Sequence, residues 1–420
     1  MSSHPTALAA PAPTAHLDLP FFEPVHREIG QCLADWMPKQ QVDESNDRAA
    51  CKEWVKLLGA NQWLRYCVPA AWGGALEQLD SRALVVMRET LAYHSPLADF
   101  AFAMQGLGSG AISLAGNSTQ REKYLRGVAS GQLVAAFALS EQAAGSDASA
   151  IKTVAMYDHM TLTSAAKTLN LPPETGFKLS GSKTWISNGG MADFYVTFAK
   201  TEPQLGTRGI SAFIVDAATQ GLDDSQHIQV MAPHPLATLV FDQCALPASA
   251  LLGEVNLGFK LAMQTLDIFR PSVAGAALGM ARRALAEAIR YAQNRQMFGQ
   301  KLADFQLTQA KLGEMAALID AGAVLTYRAA WARDMAAKNL ETGGTLPKSY
   351  TAQAAMAKMV ATENASRVID MALQMHGGAG VQVGNTIEHL YRDIRALRIY
   401  EGATEVQQLI IGKAVLAKHI

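Results

Sequence analysis

Three patterns of hydrophobic and polar residues follow one another along the chain. Over residues 21–131 apolar residues recur at every third or fourth position, as they do on the buried face of a helix. Over residues 133–246 they come in short β-branched and aromatic runs, separated by Gly, Asp, Asn and Pro. From about Phe259 the helical pattern returns and continues. The sequence therefore predicts helices, then a β domain, then more helices.

The last part of the chain predicts three long helices, over residues 272–294, 307–339 and 350–375. These segments are rich in Ala, Leu, Met, Glu, Gln and Arg, which are strong helix formers. Long Ala-rich helices usually pack together in a bundle, because small residues permit close approach. Residues 158–175 show no clear period, and we expect a long loop there.

The composition is that of a globular protein with a large core. Of 420 residues, 49% are hydrophobic and 17% are charged, which excludes a disordered chain. The net charge of −1 provides little field to attract polyanions. Four cysteines without a CxxC pair are typical of a reducing compartment. We expect a cytoplasmic protein in which the proline-rich residues 1–20 form a disordered leader.

The first candidate site is a loop of small residues at positions 137–147. It carries two hydroxyls, Ser140 and Ser146, with Gly145 between them. Such a loop lets hydroxyls and backbone N–H groups approach an anion or the polar edge of a ring. An ordinary junction between a strand and a turn would contain the same residues. No βαβ unit follows, so a Rossmann site is not indicated.

The second candidate is Trp185, which stands in a predicted strand two residues before Ser187 and a glycine turn. An indole there could stack on an aromatic cofactor while the hydroxyl donates a hydrogen bond beside it. A core tryptophan followed by a hairpin turn explains the pattern equally well.

The third candidate is Arg295, at the end of a predicted helix and followed by Phe298, Gly299 and then Gln306. Its guanidinium could pair with a phosphate. Neutralisation of the helix C-terminus is the simpler interpretation of an arginine at this position.

The fourth candidate is Glu401, which lies between Tyr400 and Gly402 just before a predicted helix. A carboxyl group removed from water would have a raised pKa, as a base that abstracts a proton next to a carbonyl requires. A glutamate at a helix start more often caps that helix in contact with solvent, and this alternative stays open.

In this order and at these separations, the four stretches resemble the acyl-CoA dehydrogenase flavoprotein family, over about residues 22–415. The resemblance implies an α+β multidomain fold with an N-terminal helical domain (21–132), a middle β-barrel (133–246) and a C-terminal four-helix bundle (247–420). It implies one FAD per subunit of a homotetramer, an acyl-CoA substrate and an electron-transfer flavoprotein as partner. In that family a glutamate removes the α-proton, the β-hydride passes to flavin N5, and a trans-2-enoyl-CoA is left.

The resemblance also implies roles for single residues. Glu401 matches the catalytic base, whereas the position that hosts the base in some relatives is here Phe269, which cannot take a proton. The implied substrate contacts are Ser146, Asp267, Arg270, Tyr400 and Gly402. The implied FAD contacts are Phe137, Leu139, Ser140, Ser146, Trp185, Ile186, Ser187, Arg295, Phe298, Gln306, Gln374, Gly377, Gly378, Thr404 and Glu405.

Two other functions stay open beside this one. The same chemistry could act on an acyl group carried by a carrier protein, or on a branched, cyclic or aromatic acyl thioester. A non-catalytic relative that binds flavin or nucleic acid would need a basic patch. The C-terminal end offers only Lys413 and Lys418 for one. The sequence therefore favours an enzyme that does not act on nucleic acid.

Overall fold

The computed structural model describes residues 10–158, 176–341 and 349–418. The predicted loop at 158–175 lies outside the described residues from position 159 onward. No helix in the described ranges has both the length and the apolar character needed to cross a membrane. The helices are α1 (Pro24–Trp36), α2 (Asp47–Ala60), α3 (Ser81–His94), α4 (Pro96–Ala115), α5 (Ser118–Ser130), α6 (Gly258–Asn294), α7 (Gln306–Glu341), α8 (Tyr350–His376), α9 (Thr386–Leu397) and α10 (Thr404–Leu416).

The strands stand between α5 and α6, apart from one short hairpin. They are β1 (Ala135–Ala138), β2 (Val154–Asp158), β3 (Gly176–Ser187), β4 (Phe194–Lys200), β5 (Ile210–Asp216), β6 (Leu222–Ile228), β7 (Leu236–Leu246) and β8 (Leu251–Leu252), and the hairpin is β9 (Gln296–Met297) with β10 (Gln300–Lys301). The eight strands form one sheet in the order β6-β7-β3-β2-β4-β5-β8, with β1 paired in parallel to β4. The predicted order of helices, β domain and helices is confirmed.

The sheet is built around β4, an apolar strand buried along nearly its whole length. It pairs with β5 in an antiparallel register in which Phe194 faces Asp216 and Lys200 faces Ile210. A continuous apolar run of this kind is typical of a strand that is covered on both faces. The structure thus confirms the strands predicted from the aromatic and β-branched runs.

By its internal contacts the chain divides into two units. The helical unit comprises Met1–Val42, Asp80–Asp99 and Asp267–Ile420, and the sheet unit comprises Asp43–Leu79 and Phe100–Leu266. Two of the four boundaries fall inside helices, one in α4 and one in α6. In the helical unit α8 contacts α7, α9 and α10. The predicted C-terminal assembly of long helices is present.

Two glycines let α6 lie close against α3 in the helical unit. A Cβ on Gly275 would come within 2.7 Å of the Val85 carbonyl oxygen, and one on Gly279 within 2.1 Å of the Glu89 carbonyl oxygen. Because any side chain would collide there, the spacing of these glycines fixes the approach of the two helices.

Helix α6 also contains Pro271, which the sequence prediction placed just before the helix. A proline has no N–H for the carbonyl four residues earlier, here that of Asp267. The hydroxyl of Tyr350 in α8 donates to this carbonyl oxygen instead. The helix therefore continues through the proline and begins at Gly258.

The disordered leader predicted for residues 1–20 is wrong for residues 10–20. Ala15–Asp18 form a 3-10 helix, and the side chain of Leu17 is buried against α1 and α3, near Gly30 and Val86. Nothing in the sequence indicated this, because one leucine among prolines and alanines forms no periodic pattern. Leu17 nevertheless packs between the helices. Residues 1–9 lie outside the described residues.

Candidate functional site

The loop at 137–147 and the end of β3 are joined in the sheet unit. The amide of Thr184 donates to the Ser140 carbonyl oxygen at 3.0 Å. The ammonium of Lys183 donates to the Leu139 carbonyl oxygen, also at 3.0 Å. The first and second candidate stretches, which the sequence separates by about forty residues, therefore form one surface.

Glu141 anchors this loop to β3 and to the segment that precedes β2. Its carboxylate accepts hydrogen bonds from the amides of Lys152 and Thr153, from the Thr153 hydroxyl and from the ammonium of Lys183, at 2.6–2.9 Å. Burial opposes ionisation of Glu141, but Lys183 and the other donors outweigh it, and the pKa of Glu141 lies below its usual range. Burial lowers the pKa of Lys183 to about 8. The pair holds the loop and β3 together.

Trp185 stands out from the sheet at an irregularity. The pairing of β3 with β7 shifts between Lys183 and Ile186, and Trp185 has a φ of 60°. Its side chain is 52% exposed. A left-handed backbone at a bulky residue is strained and persists only where the surroundings impose it. The alternative of an ordinary core tryptophan is therefore excluded.

The other candidate residues of the sheet unit differ in what they can offer a ligand. Ser140 and Ser187 are half-buried, and Ser146 is exposed. Ile186 is buried at 1% exposure, which leaves its backbone for a ligand, and Phe137 packs against Phe198 with ring centres 4.9 Å apart. Trp185 and Ser146 are thus the exposed members of this set.

In the helical unit, Glu401 lies in a turn of unusual conformation. Glu401 has a φ of 52° and Gly402 a φ of 94°, so two successive residues are left-handed. Both carboxylate oxygens of Glu401 are buried and have no hydrogen-bond partner among the described residues. The N-cap of α10 is Ala403, not Glu401. The interpretation of Glu401 as a solvated helix cap is therefore wrong.

Three cations surround this carboxyl group. Burial raises the pKa of Glu401, and the charges of Arg88, Lys358 and Arg270 counteract this only in part. Asp99 acts in the same direction as burial, because a second negative charge disfavours the carboxylate. The balance leaves Glu401 a stronger base than an exposed glutamate, which is what proton abstraction next to a carbonyl needs.

Two of the three cations have acidic partners of their own. Arg88 binds Asp99 through two hydrogen bonds of 2.8 and 2.9 Å, and Arg270 binds Asp267. Lys358 instead donates to the Gly402 carbonyl oxygen at 2.8 Å. Arg270 and Asp267 were both predicted as substrate contacts. They are paired with each other, and the charge of Arg270 acts on Glu401.

Tyr400 is part of the same buried cluster. Its hydroxyl interacts with Arg88, and burial raises its pKa well above the usual range, so that it is neutral at all ordinary pH values. The predicted residues Tyr400, Glu401 and Gly402 thus share one interior site with Asp267 and Arg270.

Two further groups of predicted residues lie at the surface of the helical unit. Arg295, Phe298 and Gln306 lie just before, in and after the β9–β10 hairpin, and Gln374, Gly377 and Gly378 lie in and just after the last turn of α8; all six are exposed. The rings of Tyr291, one turn before Arg295, and of His376, between Gln374 and Gly377, are 4.3 Å apart. Both groups are therefore at the same end of the unit.

Thr404 and Glu405 line a separate surface cleft of about 470 Å³ between α8 and α10. The hydroxyl of Thr404 donates to Glu363 at 2.6 Å, and Glu363 also pairs with Arg398 at 2.8 Å. Glu401 is not among the residues that line this cleft. Thr404 and Glu405 thus face this surface cleft.

Five residues of these sites were not predicted from the sequence: Arg88, Asp99 and Lys358 around Glu401, and the anchoring pair of Glu141 and Lys183. Each is a buried charge in or next to an otherwise apolar segment. The available signal was a single charged residue within a segment whose apolar pattern predicts burial. A buried charge needs a partner or a function.

Comparison with known proteins places this geometry in a family. Models of the three acyl-CoA dehydrogenase domains match the chain: the N-terminal domain over residues 26–132, the middle domain over 136–244 and the C-terminal domain over 256–416. A 3-(aryl)acrylate reductase of Clostridium sporogenes is 34% identical over 94% of this chain and 100% of its own length. The chain belongs to the acyl-CoA dehydrogenase family. The predicted family and domain architecture are confirmed.

Other acyl-CoA dehydrogenase relatives are similar over most of their length. The caffeyl-CoA reductase–Etf complex subunit CarC of Acetobacterium woodii is 36% identical over 84% of this chain and 86% of its own. The human mitochondrial short-chain specific acyl-CoA dehydrogenase is 34% identical over 94% and 90%. An acyl-CoA dehydrogenase from Bacillus anthracis, solved with FAD, has a TM-score of 0.83 and 29% identity over 94% of this chain and 68% of that one.

Membership makes this acyl-CoA dehydrogenase a flavoprotein oxidoreductase with FAD as its cofactor. The residues present fit that cofactor. The indole of Trp185 is held outward by a strained backbone, and hydroxyls stand nearby in the sequence on β3 and on the loop joined to it. A Cβ at Gly145 or Gly378 would meet no atom within 4 Å. Neither glycine therefore obstructs a ligand at its own surface.

Proposed function

We propose that this protein removes two hydrogens from the α and β carbons of an acyl-CoA thioester and forms the trans-2-enoyl-CoA, with Glu401 as the base. The observation that carries the proposal is the buried carboxyl group of Glu401, whose two oxygens have no partner among the described residues. A structural carboxylate would be hydrogen-bonded when buried. An oxygen left free in a dry site is available to take a proton from a substrate.

The surroundings of Glu401 adjust its strength as a base. Burial destabilises the carboxylate and raises its pKa, while Arg88, Lys358 and Arg270 keep the group able to ionise. After the α-proton has moved to Glu401, the neutral acid suits the dry interior better than the carboxylate did. The site therefore favours the direction in which the carboxylate accepts the proton.

The cofactor residues proposed from the family resemblance divide into two sets. Ser140, Ser187 and Trp185 would hold the flavin ring, with support from the backbone of Leu139 and Ile186. FAD, when bound, supplies the acceptor for the β-hydride of the substrate. The remaining set would hold the rest of the cofactor: Phe137, Ser146, Arg295, Phe298, Gln306, Gln374, Gly377, Gly378, Thr404 and Glu405.

The proposed substrate contacts also come from the resemblance. Ser146, Asp267, Arg270, Tyr400 and Gly402 would bind the CoA thioester. The proposed electron acceptor is an electron-transfer flavoprotein, and the name of the Acetobacterium relative includes an Etf complex. We further propose a homotetramer in the cytoplasm.

A second candidate keeps the site and changes the acyl group or the direction of reaction. Two of the similar proteins are named as reductases of 3-aryl acrylates and of caffeyl-CoA. These names favour an aromatic side chain on the thioester and reduction of the enoyl bond. The same carboxyl group would then donate the proton that it accepts in the forward direction.

An anaerobic panel of thioesters tests the proposal. Straight-chain, branched, cyclic and aryl-propionyl CoA esters, with and without a carrier protein, are mixed with the FAD-loaded enzyme while the flavin band is recorded. Bleaching by at least one saturated thioester is expected. Bleaching by none, together with reoxidation of reduced enzyme by an aryl-acrylyl ester, would select the second candidate. Enzyme inert to both sets would end both.

Replacement of the proposed base gives the matching variant test. Glu401→Gln keeps the shape and the burial but cannot accept the proton, so flavin reduction should slow by about 10²–10⁴-fold with FAD content unchanged. Glu28→Gln, at an exposed position of α1, is the control and should match the wild type. A Glu401→Gln enzyme that reduces its flavin within tenfold of the wild-type rate would remove Glu401 from the mechanism.

A further inference from the structure

The cations around Glu401 differ in whether an acid already neutralises them. Arg88 is bound to Asp99, and Arg270 to Asp267. Lys358 is fully buried in α8, and among the residues that the structure describes it forms no ion pair. Its positive charge is therefore the one left over to act on the carboxyl group of Glu401.

Lys358 also holds the turn that carries Glu401. Its ammonium donates to the Gly402 carbonyl oxygen at 2.8 Å, and the buried amide of Gln407 donates to the same oxygen at 2.9 Å. A left-handed conformation at Glu401 is unfavourable by itself and persists only if neighbouring groups impose it. Two buried donors that meet on the next carbonyl provide such a constraint.

We propose that Lys358 is a positioning residue for Glu401, which it serves both by fixing the Gly402 carbonyl and by supplying the unneutralised positive charge beside the carboxyl group. This inference rests on the proposed role of Glu401 as the base. Lys358 does not touch the reacting atoms; it acts through the turn and through its field.

The remaining charged and titratable groups set the scale of this effect. Glu401 is faced by Arg88 and Asp99 from α3 and α4, by Arg270 from α6 and by the adjacent Tyr400. Lys358 itself is faced by Arg270, and by Glu363 and Glu405 next to the surface cleft. Burial lowers the pKa of Lys358 to about 8, so the support it gives to Glu401 fades above that pH.

Three variants separate charge from hydrogen bonding. Lys358→Met has a similar length and removes both the donor and the charge. Gln407→Leu removes the other donor to the same carbonyl and leaves the charge unchanged. Lys413→Met, at an exposed position of α10, is the control. Each is loaded with FAD, and the pH profile of anaerobic flavin reduction is measured with a thioester that bleaches the wild type.

Loss of a nearby cation makes the carboxylate less favourable. For Lys358→Met the rising limb of the profile should therefore move to higher pH by about one unit, so that the rate at a pH on the wild-type rising limb should fall by up to about tenfold. Gln407→Leu should lower the rate without moving the limb, and Lys413→Met should do neither. A Lys358→Met limb within about 0.2 units of the wild type, with a rate within twofold, would overturn the proposal.

A stability cycle tests the same contact without any substrate. Lys358→Met is introduced into the wild type and into Glu401→Gln, and Tm is measured for the FAD-loaded proteins at pH 7.5. The loss of Tm should be at least about 2 °C larger when Glu401 is present, because only then does the variant strand a buried negative charge. Equal losses in the two backgrounds would overturn the proposal.

The two experiments also separate this inference from the proposed function. Coupling of Lys358 to Glu401 in Tm, with no thioester able to bleach the flavin, would refute the reaction and leave the pairing intact. Loss of bleaching in Glu401→Gln, with no coupling and no shift of the profile, would leave the reaction intact and refute the role of Lys358.

Discussion

Two glutamates in this member of the acyl-CoA dehydrogenase family are treated in opposite ways. The carboxylate of Glu141 in the sheet unit accepts four hydrogen bonds, one of which is the ion pair with Lys183, and its pKa is lowered. The carboxylate of Glu401 in the helical unit has no hydrogen-bond partner among the described residues, and its pKa is raised. A cation is near in both cases, so charge alone does not separate the two roles. The difference is whether donors are aimed at the oxygens.

This contrast indicates what each unit contributes. A carboxylate whose oxygens accept hydrogen bonds is a weak base and connects two segments of backbone. A carboxylate that is shielded from water and accepts no hydrogen bond is a stronger base and can take a proton from a substrate. The sheet unit uses its glutamate to build a surface beside Trp185. The helical unit leaves its glutamate free, in a strained turn.

Breaking the Glu141 pair should give the largest effect on the fold. Glu141→Gln leaves the ammonium of Lys183 buried without its acid, which costs about 3–5 kcal/mol of unfolding free energy. We expect both the free energy of unfolding, measured with denaturant, and the FAD content to fall. The double change Glu141→Leu with Lys183→Met should recover much of the loss, because no buried charge is then left unpaired.

The control for this prediction is Glu53→Gln, at an exposed position of α2 in the same unit. It should leave stability and FAD content as they are. If Glu141→Gln were as stable as that control, Glu141 would not be the anchor of the loop, and the contrast with Glu401 would disappear.

The pH dependence of stability sharpens the comparison, because the two contributions have opposite sign. The folded pKa of Glu141 lies below its ordinary value of 4.5, so the carboxylate stabilises the fold above that pH, and the contribution is lost as pH falls through the folded pKa. The folded pKa of Glu401 lies above 4.5, so its contribution is present below that pH and is lost as pH rises through the folded pKa.

Tm measured from pH 4 to 8 reads out both signs. As pH rises, the Tm of the wild type should fall relative to the Tm of Glu401→Gln. The difference between the wild type and Glu141→Gln should shrink only at the acid end. Parallel curves for the two variants would mean that the glutamates have the same environment.

Trp185 gives the smallest expected effect and tests the surface that Glu141 supports. Because the indole is 52% exposed, Trp185→Ala should leave Tm nearly unchanged. Loss of stacking is worth about 0.5–1.5 kcal/mol, so the Kd for FAD should rise about 3–10-fold, as fluorescence titration would show. Trp331→Ala, at a 40% exposed position of α7, is the control. An unchanged Kd would separate Trp185 from the cofactor.

For Glu401, the sequence predicted the neighbouring residues of the chain but not the distant residues that surround the carboxyl group in the fold. Glu401 was recognisable because Tyr400, Gly402 and the following helix stand beside it in the chain. Lys358 was not, because the carbonyl that it contacts is 44 positions away. Periodicity shows which face of a helix is buried, but it does not show which group lies opposite a buried charge.

The strands and long helices were predictable for the complementary reason, since their patterns are local. The exceptions lie where a tertiary contact overrides a local rule. Trp185 adopts a left-handed backbone that no propensity would assign to it, and Leu17 folds into the core from a proline-rich stretch. The FAD contacts assigned by resemblance stay predictions.

The proline within α6 has a consequence for anyone who recombines this protein with its relatives. The Asp267 carbonyl, left without an amide by Pro271, depends on a hydroxyl from a helix about eighty positions downstream. A chimera that takes Pro271 from one parent and a residue without this hydroxyl at position 350 from the other would leave the Asp267 carbonyl oxygen without a hydrogen-bond donor. Crossover points are therefore safest when Pro271 and Tyr350 come from the same parent.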